Sequence, residues 1–230
     1  MKLSIIIPTY NESANIAGLV SDLFKLALGK QIEVIVSDGG SKDDTLQKAA
    51  QAGAIVIKSP WPGRAAQMNY AARFARGDVL YFVHADVGIH PDYFKDIESA
   101  VSGGFDAGCY RFRFDSDRNM LKINSYFTRF NRLMCRGGDQ TLFVTRTLFD
   151  QLHGFDEYYS IMEDYDIIIR IWKIARFKII PKDVIVSARK YDTNSWLRVQ
   201  LANLTAFTMF YMKKDPSKIA LKYKAMLDYR

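Results

Sequence analysis

Leu3-Ser4-Ile5-Ile6-Ile7-Pro8-Thr9-Tyr10-Asn11-Glu12 is the stretch from which the fold is read. Residues 3–7 form a short apolar, β-branched run, the pattern of a strand buried on both faces of a parallel sheet. Pro8 has no N–H to donate and is expected to stop the ladder. Thr9, Tyr10, Asn11 and Glu12 then make a polar loop, rich in acceptors, at the strand's carboxyl end, where open α/β sheets bind ligands. Taken alone, the stretch reads equally well as a strand followed by an ordinary helix cap, with Asn11 or Ser13 supplying the capping oxygen.

Strand and helix patterns alternate from there. Residues 14–28 place Ile16, Leu19, Val20, Leu23, Phe24 and Ala27 on one helical face, and Gly29 ends that helix. Residues 32–36 are a second strand running into Ser37-Asp38-Gly39-Gly40, and Ser41 with Asp44 reads as a capping box for the next helix. Residues 54–58 are a third strand and residues 64–76 a helix. Residues 78–83 are a fourth strand, ending at His84-Ala85-Asp86. This alternation implies right-handed crossovers and a parallel, doubly wound sheet. If the spatial order is third, second, first, fourth, the loops after the first, second and fourth strands lie side by side. Residues 9–12, Asp38 and Asp86 would then share one crevice.

The second half is less regular. A helix is expected at 92–101, a strand at 107–114, and an amphipathic helix at 121–134 with Ile123, Phe127, Phe130 and Met134 facing one way. Gly137-Gly138-Asp139-Gln140 precedes a strand at 141–145 and a helix at 146–152. Gly154-Phe155-Asp156 is a turn. Glu163-Asp164 opens a helix to about residue 175, and 178–180 and 184–187 read as two short strands. Residues 196–212 are strongly apolar but contain Arg198, Gln200 and Asn203, and fall short of a comfortable membrane span. Three readings stand for them: a helix packed on the domain, a homodimer contact, or an interfacial helix whose basic flank, Lys213 and Lys214, meets anionic lipid.

A length of 230 residues suits one α/β domain with a C-terminal extension, and 49% hydrophobic with 25% charged residues excludes a disordered chain. The net charge of +7 points to anionic partners, either phosphates or an anionic membrane face. The basic residues are dispersed, with no helix carrying a basic stripe, so nucleic acid is not an expected partner. Cys109 and Cys135 read as free thiols in a reducing compartment. No charged leader or cleavage site precedes the first strand, so a cytoplasmic location is expected, with the inner membrane face as its peripheral variant.

Five pieces in order resemble the family 2 glycosyltransferases, GT-A-fold enzymes that use nucleotide-diphosphate sugars. They are Pro8-Thr9-Tyr10-Asn11-Glu12; Ser37-Asp38-Gly39-Gly40-Ser41 with Asp44-Thr45; Gly63-Arg64-Ala65-Ala66-Gln67-Met68-Asn69; His84-Ala85-Asp86; and Glu163-Asp164. The likeness covers roughly residues 2–189, and the third piece with Gly138-Asp139-Gln140 looks like a little-characterised bacterial branch. It implies a single GT-A-like α/β domain over 1–190, with a mostly parallel doubly wound sheet and a mixed second half. Residues 1–105 would bind the nucleotide sugar, 106–190 the acceptor, and 191–230 would be a helical extension.

The resemblance further implies transfer of one sugar, with inversion, from a nucleotide-diphosphate sugar (a UDP-sugar first among candidates) to an unknown acceptor hydroxyl. It assigns Pro8, Thr9, Tyr10, Glu12, Asp38, Arg64, His84, Ala85 and Asp86 to nucleotide-sugar binding, with Asp38 at the base and the Pro8–Thr9 backbone seating it. Asp86 takes the last place of a DXD-like motif, whose carboxylate holds Mg²⁺ or Mn²⁺ against the diphosphate; hard oxygen ligands favour those ions. His84 stands where the motif has its first Asp, which leaves one protein carboxylate; a ribose contact and simple packing are both open for it. Arg64 suits a diphosphate, its alternative being a surface arginine at a helix start. Asp164, with Glu163 beside it, is the candidate base for the acceptor hydroxyl, its alternative being a helix cap. Asp166 is expected to face solvent, and Asp139 and Gln140 to line the acceptor or diphosphate end. The Gln-x-x-Arg-Trp signature of polymerising members is absent, which favours single addition.

Rival classes fare less well. A nucleotidyltransferase would want a glycine-rich loop with a lysine near the start, and a dinucleotide enzyme a GxGxxG after the first strand. Neither is present. A non-catalytic nucleotide-sugar-binding or membrane-docked scaffold is the other alternative, favoured only by His84.

Overall fold

A computed structural model describes residues 1–228. The chain runs β1 (Leu3–Thr9), α1 (Ile16–Leu26), β2 (Ile32–Asp38), α2 (Thr45–Gln51), β3 (Ile55–Lys58), α3 (Arg64–Ala72) and β4 (Val79–Phe82). It continues through β5 (Val87–Gly88), α4 (Tyr93–Ser102), β6 (Ala107–Phe114), α5 (Asn119–Phe127), β7 (Leu142–Thr145) and α6 (Arg146–Gln151). Last come α7 (Glu163–Ile174), β8 (Phe177–Val186), α8 (Lys190–Thr193), α9 (Trp196–Tyr211) and α10 (Pro216–Met226).

One eight-stranded sheet has the order β3-β2-β1-β4-β7-β6-β8-β5. The first four positions hold the order read from the sequence, all parallel. Beyond them β7 runs antiparallel to β4 and β6, β8 lies parallel to β6, and β5 pairs antiparallel with β8, so the second half is mixed. Every residue of β1 is buried. Leu3, Ile5 and Ile7 pack with α1, α2 and α4 on one face, and Ile6 packs with α3, α6 and α7 on the other. A strand covered on both faces needs an unbroken apolar run, which is why residues 3–7 carry one.

Pro8 does not end the ladder: β1 stays paired with β2 through Pro8↔Ser37 and Thr9↔Asp38. Ile6 O accepts from Val83 N on the β4 side, and residues alternate sides, so Pro8 N faces the side where β4 has already ended at Phe82. Its missing N–H therefore removes no bond. The expected capping box also fails. Asp44 precedes α2 without a side-chain cap, and Ser41 Oγ instead donates to Asp38. Residues 178–180 and 184–187 are one strand, β8, whose register against β6 shifts between Tyr110 and Arg111, opposite Pro181 and Lys182. The bulge absorbs the proline.

The expected helix at 121–134 stops at Phe127, and Ile123, Phe127, Phe130 and Met134 are exposed rather than packed. Buried Arg136 donates to the carbonyls of Thr128 and Phe130, which a continuing helix would have used for its own ladder. In α9, Val199, Ala202, Ala206 and Phe210 pack inward, with Ile219 of α10 beside the last two, so the packed reading holds for that face. Among the described residues no helix is long and apolar enough to cross a membrane.

Gln67 on α3 clips the sheet at its functional edge. Its buried Nε2 donates to Thr9 O and Ser37 O, both at 2.8 Å. A Cβ at position 39 would lie 2.9 Å from that nitrogen, so glycine is required there. Asn69, two residues on and therefore on another face of α3, accepts from Phe155 N and donates to Phe155 O, and a Cβ at Gly154 would meet its Oδ1 at 2.5 Å. Replacing Gln67 with Leu strips a donor from two buried carbonyls and is expected to cost about 1–3 kcal/mol. That would be read as a lower denaturant midpoint at unchanged slope; an unchanged midpoint would show the clip to be dispensable.

Candidate active site

The carboxyl ends of β1, β2 and β4 open on one edge of the sheet, and the loops after β1 and β2 are stitched together. Asn11 N donates to Ser41 Oγ and Lys42 N to Asn11 Oδ1, while Glu12 N donates to Thr45 Oγ1 and Ser13 N to Asp43 Oδ2. Neither Asn11 nor Ser13 caps α1: Asn15 precedes the helix without a side-chain cap, and Asn11, at φ +55°, spends its side chain on the neighbouring loop. Tyr10 projects, exposed, from the same loop, whereas Pro8, Thr9 and Ala85 are buried.

Asp38 is buried, and its carboxylate accepts from Gly40 N and Ser41 N, both at 2.9 Å, and from the hydroxyls of Ser41 and Thr9. It is built into the loop it shapes. Glu12 and Asp86 keep one oxygen each for a shared cation: Arg189 Nη2 lies 3.2 Å from Glu12 Oε1 and 3.0 Å from Asp86 Oδ2. Arg189 immediately precedes α8 and escaped the sequence reading. Its only signal was a basic residue shortly after the last strand.

Glu163 and Asp164 divide. Met162 adopts a left-handed conformation at φ +70°, and the helix it opens turns Glu163 into the interior. Glu163 Oε1 lies 2.7 Å from Arg64 Nε, and neither carboxylate oxygen has a hydrogen bond of good geometry. Burial raises the Glu163 carboxyl above its ordinary range, partly opposed by the Arg64 charge. Arg64 is exposed at one side; partial desolvation opposes its charge, but Glu163, Asp164 and Asp139 more than offset that and keep the guanidinium protonated. Asp164 instead joins His84, Met68, Phe82, Gly137 and Thr141 around a narrow cleft. Asp166, expected in solvent, is half-buried and paired with Arg170 one turn along α7 at 2.7 Å, because an i, i+4 arginine reaches it.

His84 Nδ1 lies 3.7 Å from Asp139 Oδ1, an ion pair rather than a hydrogen bond. Burial works against protonating His84, but the Asp139 carboxylate outweighs it and raises the imidazole's pKa. Desolvation would raise Asp139, yet His84 prevails and holds it down to about 2. Beside it, Gln140 is buried with both amide atoms unpartnered among the described residues, and Thr141 follows at φ +63°.

Among the described residues one cluster has three potential metal ligands close together, His90, Asp92 and Asp96. Lys182 Nζ already sits there, at 2.8 Å from Asp92 and 2.7 Å from Asp96. Glu12 and Asp86 are the better fit for a divalent ion: hard carboxylate oxygens at the mouth of the crevice, already converging on one cationic nitrogen.

Residues 4–155 match the family model described as glycosyl transferase family 2. The chain belongs to that family. It is similar to a dolichol-phosphate mannosyltransferase of Pyrococcus furiosus, 30% identical over 111 residues, covering 46% of this chain and 32% of that protein. A glucosyl-3-phosphoglycerate synthase of Mycolicibacterium smegmatis is 32% identical over 98 residues, covering 39% of this chain and 32% of that one. The chain thus matches about a third of the length of these relatives. Its fold is that of Staphylococcus aureus TarS 1-349 in complex with UDP-GlcNAc, at TM-score 0.68 and 20% identity over 96% of this chain and 69% of that one. The mannosyltransferase PcManGT of Pyrobaculum calidifontis, in complex with GDP-Man and Mn²⁺, also aligns at TM-score 0.68, with 19% identity over 98% and 69% of the two chains. These structures fix the fold class as GT-A.

The raised pKa of His84 carries a sign. The His84–Asp139 attraction is fully present below the ordinary imidazole pKa of about 6.5, so long as Asp139 is ionised, and fades as pH rises through the raised value. Asp139→Asn is expected to cost most stability between about pH 4 and 6.5 and less above, and to lower the His84 titration midpoint followed by NMR. An unmoved midpoint would show that Asp139 does not govern the imidazole.

Proposed function

We propose that this chain transfers a single sugar, with inversion, from a nucleotide-diphosphate sugar to an acceptor hydroxyl. The observation that carries this reading is the meeting of Glu12, Asp86 and Arg189 at the edge where β1, β2 and β4 end, with the Asp164 cleft also lined by His84. A UDP-sugar is the first donor candidate; TarS and PcManGT carry UDP-GlcNAc and GDP-Man respectively. The Pro8–Thr9 backbone, Tyr10, Asp38, His84 and Ala85 would seat the nucleoside and sugar, and Arg64 would face the diphosphate. Mg²⁺ or Mn²⁺ at Asp86, with Glu12 near, would supply Lewis-acid stabilisation of the leaving diphosphate.

Asp164 takes the acceptor's hydroxyl proton while that oxygen attacks C1 and the C1–O bond to the diphosphate breaks. Glu163, buried against Arg64, positions the helix start and the guanidinium instead of exchanging protons. Asp139 and the unpartnered Gln140 line the acceptor or diphosphate end. The exposed side of α9, with Leu197, Leu201, Leu204 and Tyr211 and then Lys213 and Lys214, is the proposed face for peripheral membrane contact or a homodimer through residues 196–214. The location that goes with this reading is a bacterial cytoplasm or its inner membrane face.

A thermal-shift panel of nucleoside diphosphates with and without Mn²⁺ tests the donor site. A nucleotide at about a hundred times its dissociation constant should stabilise by about 2.7 kcal/mol, and the shift should vanish in Asp86→Ala. Asp164→Asn should keep that shift and lose transfer by about a hundredfold or more. No shift with any nucleotide would defeat the reading, and a shift without transfer in the wild type would favour the scaffold. Removing the resident cation by Arg189→Ala is expected to tighten binding of Mn²⁺ alone by about fivefold, read by electron paramagnetic resonance. Unchanged affinity would separate Arg189 from the metal position.

A further inference from the structure

Ile123, Phe127, Phe130 and Met134, expected on one face of an amphipathic helix over 121–134, all point outward, and the helix itself ends at Phe127. Ile123 is 46% exposed, Tyr126 and Phe127 51%, Phe130 42% and Met134 67%. The three rings form one cluster: Tyr126 to Phe127 6.0 Å, Tyr126 to Phe130 5.8 Å, Phe127 to Phe130 6.0 Å. Scattered exposed apolar residues need no explanation, but a contiguous aromatic patch does.

Its presentation is fixed from beneath. Buried Arg136 donates to the carbonyls of Thr128 and Phe130, Leu121 anchors α5 in the interior, and Trp196 Nε1 donates to Asn124 Oδ1 at 3.2 Å. The rings are held out by the fold.

The surrounding charge identifies the occupant. Between Asp117 and Asp139 the sequence has five basic residues, Arg118, Lys122, Arg129, Arg132 and Arg136, and no acidic one. The Arg129 guanidinium lies over the Tyr126 ring at 3.8 Å from its centroid, so a cation is mounted on the aromatic cluster itself. Lys122 leans toward exposed Asp117 at 3.8 Å, and Arg118 is 3.5 Å from Asp192. Aromatic rings and a methionine tip flanked by Lys and Arg, with acids confined to the ends, match a surface whose outer layer is anionic and whose next layer is hydrocarbon. A protein partner would match the apolar rings equally, but the excess of cations beside the rings, with Arg129 on Tyr126 itself, favours lipid headgroups.

We propose that the Tyr126–Phe127–Phe130 cluster, with Lys122, Arg129 and Arg132, docks this protein on an anionic membrane surface. The site is distinct from residues 196–214 and independent of the transferase reading, since it predicts membrane contact whether or not a sugar is transferred.

The test is flotation of the full chain with vesicles of phosphatidylcholine plus phosphatidylglycerol, beside phosphatidylcholine alone. The chain should float with the anionic vesicles and be released by salt. Phe127→Ser combined with Phe130→Ser should reduce recovery about tenfold or more, and so should Lys122→Glu combined with Arg129→Glu. Each variant should keep the wild-type circular dichroism spectrum at the flotation temperature, so that lost recovery reads surface contact and not unfolding. Phe127→Trp supplies a local reporter that should retain binding and shift its emission to the blue when anionic vesicles are added. Failure of the wild type to float, equal recovery of all variants, or no emission change would overturn the proposal. A wild-type dimer by light scattering that the Phe127→Ser, Phe130→Ser variant abolishes, without vesicle binding, would assign the patch to a second copy and overturn it too.

Discussion

Parallel pairing of β1 with both β2 and β4 is the constraint on which the crevice depends. Three neighbouring strands that run the same way release their loops on the same edge, so Glu12, Asp38 and Asp86 come together without any of them having to reach. The pairing runs unusually far on the β2 side, through Thr9↔Asp38, because Pro8 turns its nitrogen toward the empty side. Gln67 then ties the two strand ends from a third element, and Gly39 leaves it room. The third motif piece thereby acquires a physical meaning. Its glutamine ties two strand ends together and its asparagine holds the backbone of Phe155.

The crevice these loops enclose balances its own charge. Arg189 answers Glu12 and Asp86, Arg64 answers Glu163, and His84 answers Asp139. Partly buried charges of one sign would be costly to hold together; Glu12, Asp86, Glu163 and Asp139 each have a cation within a few ångströms, and Asp38 is met by backbone and hydroxyl donors instead. On the proposed donor reading, a diphosphate would bring acceptor oxygens for the guanidinium groups, and a divalent ion would take the place of the arginine that bridges two carboxylates. Left-handed residues stand at Asn11 in the loop after β1, at Thr141 before β7 and at Met162 before α7, in conformations non-glycine residues rarely adopt. Backbone strain of that kind persists where the surroundings over-determine it.

The half of the fold that was legible in the sequence is the half made of buried parallel strands. Their continuous apolar runs and the turn residues between them are local signals, and the order β3-β2-β1-β4, a condition of the sequence reading, is the one the sheet adopts. What escaped depended on distant partners. The helix at 121–134 stops because Arg136 takes its carbonyls; Pro8 stays in its strand because β4 has ended; Pro181 is tolerated because β6 allows a bulge. At the site, the residue types were readable and their division of labour was not. Glu163 and Asp164 are adjacent in sequence, and only the burial of one against Arg64 separates them. Arg189 lies far from Glu12 and Asp86 along the chain, with no motif to announce it.

The most direct measurement is a crystal structure of the chain with UDP and Mn²⁺. The expected result is the ion on Asp86, the diphosphate against it, and the Arg189 guanidinium lifted from Glu12 and Asp86. Nucleotide bound away from the edge where β1, β2 and β4 end, or an Arg189 bridge left intact beneath it, would contradict it.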